Sequence, residues 1–194
     1  MIKTKYTAKE ILNKYDEQLE EAEKKLKELT VYCGDKIKIN GLNGWVFEQV
    51  VQHHLTEELI DLGIKNPSEL MMPQFPLTYE LEEKKKHPKI DLKIGNKILI
   101  EIKGQGYLYS ASDQKKYEEI RKKVNEQDSE FLYITKKDGG VRYRNAAKGT
   151  FGEENCFFLD DKNEDNWQKF VERVYELLPE EIKSITRNEN PITI

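Results

Sequence analysis

The stretch from Pro88 to Gly104, PKIDLKIGNKILIEIKG, constrains the fold more than any other part of the chain. Two short runs of alternating apolar and polar residues flank Gly95-Asn96, the pattern of a β-hairpin with a tight connection. In the first run Ile90, Leu92 and Ile94 share a face, leaving Lys89, Asp91 and Lys93 on the other; in the second, Ile98, Ile100 and Ile102 oppose Lys97, Leu99, Glu101 and Lys103. A slip of one residue would turn a whole apolar face to the wrong side, so the isoleucine faces must coincide. That register pairs Ile94 with Ile98, Leu92 with Ile100 and Ile90 with Ile102, across a Gly95-Asn96-Lys97 loop whose first two residues tolerate positive φ.

The same register sets Asp91 across from Glu101, with Cβ atoms about 5 Å apart, and Lys103 two residues further along that face. Like charges in this relation destabilise a sheet. A divalent cation resolves the conflict: hard Mg²⁺, or Mn²⁺ in its place, takes carboxylate oxygens and keeps several waters. A lysine beside such an ion can orient or deprotonate an attacking water, or stabilise charge developing on a phosphate.

The formal net charge of −4 argues at first against a polyanionic partner, but the charge is segregated. Residues 81–150 hold 17 Lys/Arg against 11 Asp/Glu, while the rest of the chain holds 15 against 25. The basic excess surrounds the hairpin and favours a nucleic-acid partner. Charged residues make up 35% of the chain and hydrophobic ones 37%, enough for a folded core. No apolar run reaches the roughly 18 residues of a membrane span, and the start of the chain lacks a signal-peptide core. Cys33 and Cys156 are too far apart in sequence for CxxC spacing, which points to neither a disulfide framework nor a zinc knuckle, and to a reducing cytoplasmic compartment.

Thr7-Ala-Lys-Glu10 reads as a capping box opening a helix to about Thr30, with Leu12, Tyr15, Leu19, Ala22, Leu26 and Leu29 forming one narrow apolar stripe. The stripe fits either a dimer seam or the protein's own core. A second helix runs through GWVFEQVVQHHLTEEL, where Trp45, Val46, Phe47, Val50, Val51 and Leu55 cover a broad arc. Glu48 lies roughly 20° from Leu55 on the helical wheel, at the margin of that arc. QFPLTYEL (74–81) reads as a strand, EEKKKHP as a solvated loop, and SDQKKYEEIRKKVNEQ (112–127) as a helix capped by Ser112 or Asp113. EFLYIT and CFFLD read as strands separated by a basic loop over 136–152, and a last helix spans about Asn163 to Leu178. The whole is a single α/β domain: a central mixed sheet of about five strands with helices on both faces, plus a long N-terminal helix. Its parts are an N-terminal segment (1–33), a core (44–135), a basic loop, strand and helix (136–178) and a tail (179–194).

Asp91, nine residues, then Glu101-Ile102-Lys103 closely resembles the signature of the PD-(D/E)xK nuclease superfamily, although Lys89-Ile90 replaces the usual Pro-Asp opening and Pro88 stands one place upstream. Glu48 resembles the acidic helix residue many members use, and the element order is similar to the family's restriction-endonuclease-like αβββαβ core, over about Gly44 to Thr135. The resemblance implies metal-dependent hydrolysis of phosphodiesters. Asp91, Glu101 and the Ile102 carbonyl would hold the Mg²⁺, Lys103 would act on the nucleophilic water, and Glu48 would help place a second ion or a water. Gln114-Lys-Lys-Tyr117 resembles the Gln-x-x-x-Tyr element of the RecB-like branch with one residue fewer between its ends.

Around this centre, Tyr107 and Tyr109 in the loop after the second strand could touch sugar or stack on a base. Lys115, Lys116, Arg121, Lys122 and Lys123, with Arg142, Arg144 and Lys148 in the later basic loop, could contact phosphates. That loop is also the preferred place for sequence-reading contacts. His53-His54 resembles half of a metal motif that nothing completes, which favours a structural role. The leading expectation is a Mg²⁺-dependent DNA endonuclease similar to small type II restriction enzymes, acting on double-stranded DNA, with a homodimer as the assembly that would place one site on each strand. A repair or recombination nuclease, such as a junction resolvase or nickase, is the second. A nucleic-acid-binding module without catalysis is the third, and a complete Asp-Glu-Lys set argues against it.

Overall fold

The structure, a computed structural model, describes residues 2–33, 41–81, 84–104, 111–137, 139–160 and 165–184. The Thr7 capping box closes in both directions: the Thr7 N–H donates to Glu10 Oε2 (2.8 Å) and the Glu10 N–H to Thr7 Oγ1 (3.3 Å). It opens helix α1 (Ala8–Cys33), which packs against α2 (Leu42–Asp61) through Ile11 and Tyr15, both buried, with Leu12, Leu19 and Ala22 partly covered. The N-terminal part of the stripe therefore serves the protein's own core, while Leu29 and Val31 are exposed.

After the single turn α3 (Pro67–Leu70), strand β1 (Met71–Pro76) leads to a small hairpin, β2 (Tyr79–Leu81) with β3 (Lys84–Lys86), and then to β4 (Lys89–Ile94) and β5 (Ile98–Lys103). Helix α4 (Ala111–Asn125) crosses to β6 (Glu130–Thr135), α5 (Val141–Phe151) to β7 (Cys156–Phe158), and α6 (Asn166–Leu177) and α7 (Glu180–Ser184) follow. The five-stranded sheet has the order β1-β4-β5-β6-β7; β1, β4 and β5 are antiparallel neighbours, and β6 and β7 continue parallel to β5. A mixed sheet clad by helices is the expected α/β fold. One core joins α1, α2 and α6 to Leu92, Ile94, Ile98, Ile100 and Ile102; the other joins α4 and α5 to Leu99, Phe131 and Tyr133.

Several local expectations are corrected. The strand read over 74–81 is split: β1 begins at Met71, because its partner is β4, and the chain then turns into a separate hairpin. EEKKKHP is not wholly loop, since Lys84–Lys86 forms β3. Most of the basic loop over 136–152 is helix α5, held by Ala147, Thr150 and Phe151, which recur at helical spacing and are all buried. The hairpin register is found as derived at Ile94–Ile98 and Leu92–Ile100, but the ladder stops there. Ile90 packs in the second core with Leu99 and Tyr117 while Ile102 packs in the first, so neither the expected Asp91–Glu101 pair nor the expected Ile90–Ile102 pair forms.

Candidate active site

The end of that ladder builds the site. Beyond Leu92–Ile100, β4 remains paired to β1 and β5 to β6, so the two strands part at Asp91 and Glu101. Asp91 fills the fork: its Oδ2 accepts the Ile102 N–H at 2.7 Å, replacing a backbone rung with a side chain. Glu101 is fixed from the helix side, where the buried Tyr117 hydroxyl of α4 donates to its Oε1 at 2.6 Å. Lys103 touches both acids, with Nζ against Glu101 Oε1 and 3.7 Å from Asp91 Oδ2. The acids thus converge not as an opposed rung of the hairpin but because the Asp91 side chain enters the gap where the ladder has ended, with Lys103 between them.

Helix α2 reaches the fork because its start lies on the end of β5. A Cβ on Gly104 would stand 3.1 Å from the Asn43 carbonyl oxygen and 3.3 Å from the Gly44 Cα, so any larger residue would push the two backbones apart by a few tenths of an ångström. One turn on, Glu48 is half-buried and close enough to Asp91, Lys103 and Glu101 for their charges to act on it. Its Oε2 accepts from Gln74 Nε2 at 3.1 Å.

The electrostatics follow from crowding acids in a partly dry place. Burial, then the Asp91 charge, pushes the Glu48 carboxyl from 4.5 up to about 7. Burial, then Glu101, pushes Asp91 from 3.8 up to about 6, with Lys103 and the Ile102 N–H pulling the other way. For Lys103 burial works to lower the pKa, but Glu101 and Asp91 outweigh it and hold the ammonium above its ordinary range. Burial and the neighbouring Glu101 raise Tyr117 far above the phenol range, so it is a permanent donor.

Among the described residues no group of three or more His, Cys, Asp or Glu side chains is gathered to hold a metal ion. Two carboxylates are gathered, and each has one oxygen engaged, leaving Asp91 Oδ1 and Glu101 Oε2 without a hydrogen-bond partner among the described residues. Two hard oxygen donors suit Mg²⁺, which is commonly held by one or two carboxylates with water and substrate phosphate completing its shell. Ile102 lies on the forked stretch, beside both acids.

The other residues singled out in the sequence divide by place. Lys116 is half-buried, lies over the Tyr117 ring and is near enough to Asp91 to draw its pKa down. Gln114 is exposed and donates to Glu118, Lys115 is exposed, and both belong to the outer face of α4. Arg142 is exposed on α5; Arg144 lies over Phe158, and Lys148 pairs with Glu153 at 2.7 Å. Arg144 and Lys148 line a cavity of about 510 Å³ beside β7, two strands from β5, and so are not brought to the fork. Tyr107 and Tyr109 lie outside the described residues. His54 is buried, with Nδ1 2.9 Å from the Val50 carbonyl oxygen, and His53 is exposed near Glu57.

Two residues escaped the sequence. Gln74 reaches Glu48 from β1, and buried Glu58 accepts the N–H groups of Lys5, Tyr6 and the Trp167 indole at 2.9–3.0 Å, pinning the N-terminus, α2 and α6 together. A glutamate in the apolar arc of α2 was the available signal for Glu58. No family model, curated protein or solved structure matches this chain, so its site rests on its own geometry.

Proposed function

We propose that this protein hydrolyses DNA phosphodiester bonds with the help of a divalent cation, most simply Mg²⁺. The observation that carries the reading is the convergence of two buried carboxylates and one lysine where β4 and β5 part, an arrangement that a folded chain without such chemistry has no reason to keep. Asp91 and Glu101 would hold the cation, with the Ile102 carbonyl as a further oxygen. When bound there, the ion supplies charge neutralisation at the phosphate and acidifies a coordinated water.

The protein's own groups divide the remaining work. Lys103 is firmly an ammonium, so its part is to place a water or hydroxide and to stabilise charge on the phosphate oxygens rather than to remove a proton. Glu48, with its carboxyl near neutrality, is suited to accept the proton of the attacking water. Tyr117 keeps Glu101 in one orientation. Lys116 adds positive charge beside Asp91, where a phosphate would approach.

The test is incubation of supercoiled plasmid, linear duplex and single strands with Mg²⁺ or EDTA. Mg²⁺-dependent cleavage, lost in Lys103→Ala while DNA binding is kept, is the expected result. Discrete bands would specify a site-specific endonuclease of the restriction type, and nicked circles a repair-type nickase. Unchanged DNA in every arm, or wild-type rates from Lys103→Ala, would refute the proposal.

A further inference from the structure

β1 carries a backbone conformation that a regular edge strand does not contain. Gln74 lies in mid-strand with φ 52°, in the left-handed region that side chains other than glycine enter rarely, and asparagine more readily than glutamine. The strand pairs normally on both sides of it, Pro73 with Leu92 and Phe75 with Ile90. The rung between them, where Gln74 would face Asp91, is missing. Both strands change face here, since Met71, Leu92 and Ile94 pack with the first core and Phe75 and Ile90 with the second, while the exposed Gln74 side chain takes part in neither. What the twist accomplishes is a contact: the carboxamide Nε2 donates to Glu48 Oε2 at 3.1 Å, joining an edge strand to helix α2 over the fork. Strain of this kind persists where the surroundings impose it, and it concentrates at functional sites.

We infer that Gln74 is a positioning residue of the same site: its left-handed backbone delivers the carboxamide that fixes the Glu48 carboxylate over Asp91 and Lys103. The inference rests on the nuclease reading given above. An amide is suited to this task, because it donates to one carboxylate oxygen and brings no charge that would compete with a cation. It engages only the Oε2 atom of Glu48.

Replacement by glycine separates backbone from side chain. Gln74→Gly enters the left-handed region freely, so the variant folds with a urea midpoint equal to or above that of the wild type. Its cleavage rate at saturating DNA and Mg²⁺ is expected to fall at least tenfold, while DNA affinity measured in EDTA stays within twofold. Gln74→Glu keeps the reach but sets a second carboxylate against Glu48, and its rate is expected to fall further. A Gln74→Gly protein that cuts at the wild-type rate overturns the inference and leaves the nuclease reading standing. A Gln74→Gly protein with a lowered midpoint and weakened DNA binding also overturns it, since Gln74 would then be structural. A wild-type chain that cuts nothing overturns both.

Discussion

Replacing Asp91 by asparagine should make the protein more stable at pH 8 and inactive. Asp91 is only 7% exposed, and its carboxyl is raised from 3.8 to about 6 by burial and by Glu101. Each tenfold change in acidity corresponds to about 1.4 kcal/mol, so the ionised carboxylate costs the folded state up to about 3 kcal/mol at pH 8. Asparagine removes that cost and retains an oxygen for the Ile102 N–H, which Asp91 accepts at 2.7 Å. It gives up the longer Lys103 contact at 3.7 Å and leaves an amide to be satisfied, together costing about 1 kcal/mol. The net gain is about 1–2 kcal/mol. With a urea dependence of about 2 kcal/mol per molar, the unfolding midpoint should rise by about 0.5–1 M. At pH 4 the wild-type carboxyl is already protonated in the folded state, and the gain should vanish or reverse. Urea titrations of both proteins at the two pH values, without added divalent cation, measure this directly. A variant less stable than wild type at pH 8 would refute the reasoning, because Asp91 would then be an anchor for Lys103 rather than a strained acid.

Other consequences concern the whole chain. Glu48 and Asp91 both have folded-state pKa values above their unfolded ones, whereas burial holds His54 below its ordinary range and acts in the opposite sense. The difference in stability between the wild type and Glu48→Gln/Asp91→Asn should therefore decline by about 2–3 kcal/mol, with Glu48 discounted for solvent, as pH rises from about 4 to 7. Lys103 titrates above this window, and saturating Mg²⁺ should flatten the decline; a flat profile without Mg²⁺ would count against the site's electrostatics. Glu58→Ala should lower stability by about 3 kcal/mol in thermal or urea unfolding, because three N–H donors lose their acceptor at once; a loss under about 1 kcal/mol would show that water replaces it. Trp45 is 57% exposed one turn before Glu48, whereas Trp167 is fully buried. A short single-stranded oligonucleotide should therefore quench red-edge tryptophan emission in the wild type but not in Trp45→Phe, and equal quenching in both would place the strand elsewhere.

The residues of this candidate site were legible in the sequence where they obey short-range rules. Asp91, Glu101 and Lys103 follow from the two-residue period of one hairpin, and the Leu92–Ile100 and Ile94–Ile98 pairs form as derived. Glu48 follows from the helical wheel of α2. What was not legible depends on partners distant in sequence. The fork at Asp91 exists because β4 stays with β1 while β5 stays with β6, and nothing within the hairpin announces that its last rung will open. The left-handed backbone at Gln74 is imposed by the same surroundings, in a residue type that gives no warning of it. Helix α5 was hidden by the glycines before it and by its basic surface, which outweigh the buried Ala147, Thr150 and Phe151 in a reading by composition. Glu58 draws its donors from residues 5, 6 and 167, a set no local pattern could assemble.

The most direct measurement is calorimetric titration of Mn²⁺ or Mg²⁺ into the wild type and into the Asp91→Asn/Glu101→Gln double variant, both shown folded by circular dichroism. Saturable binding in the wild type and none in the double variant is the expected result. Equal binding in the two proteins, or no binding in the wild type with or without DNA, would contradict a cation site between these acids.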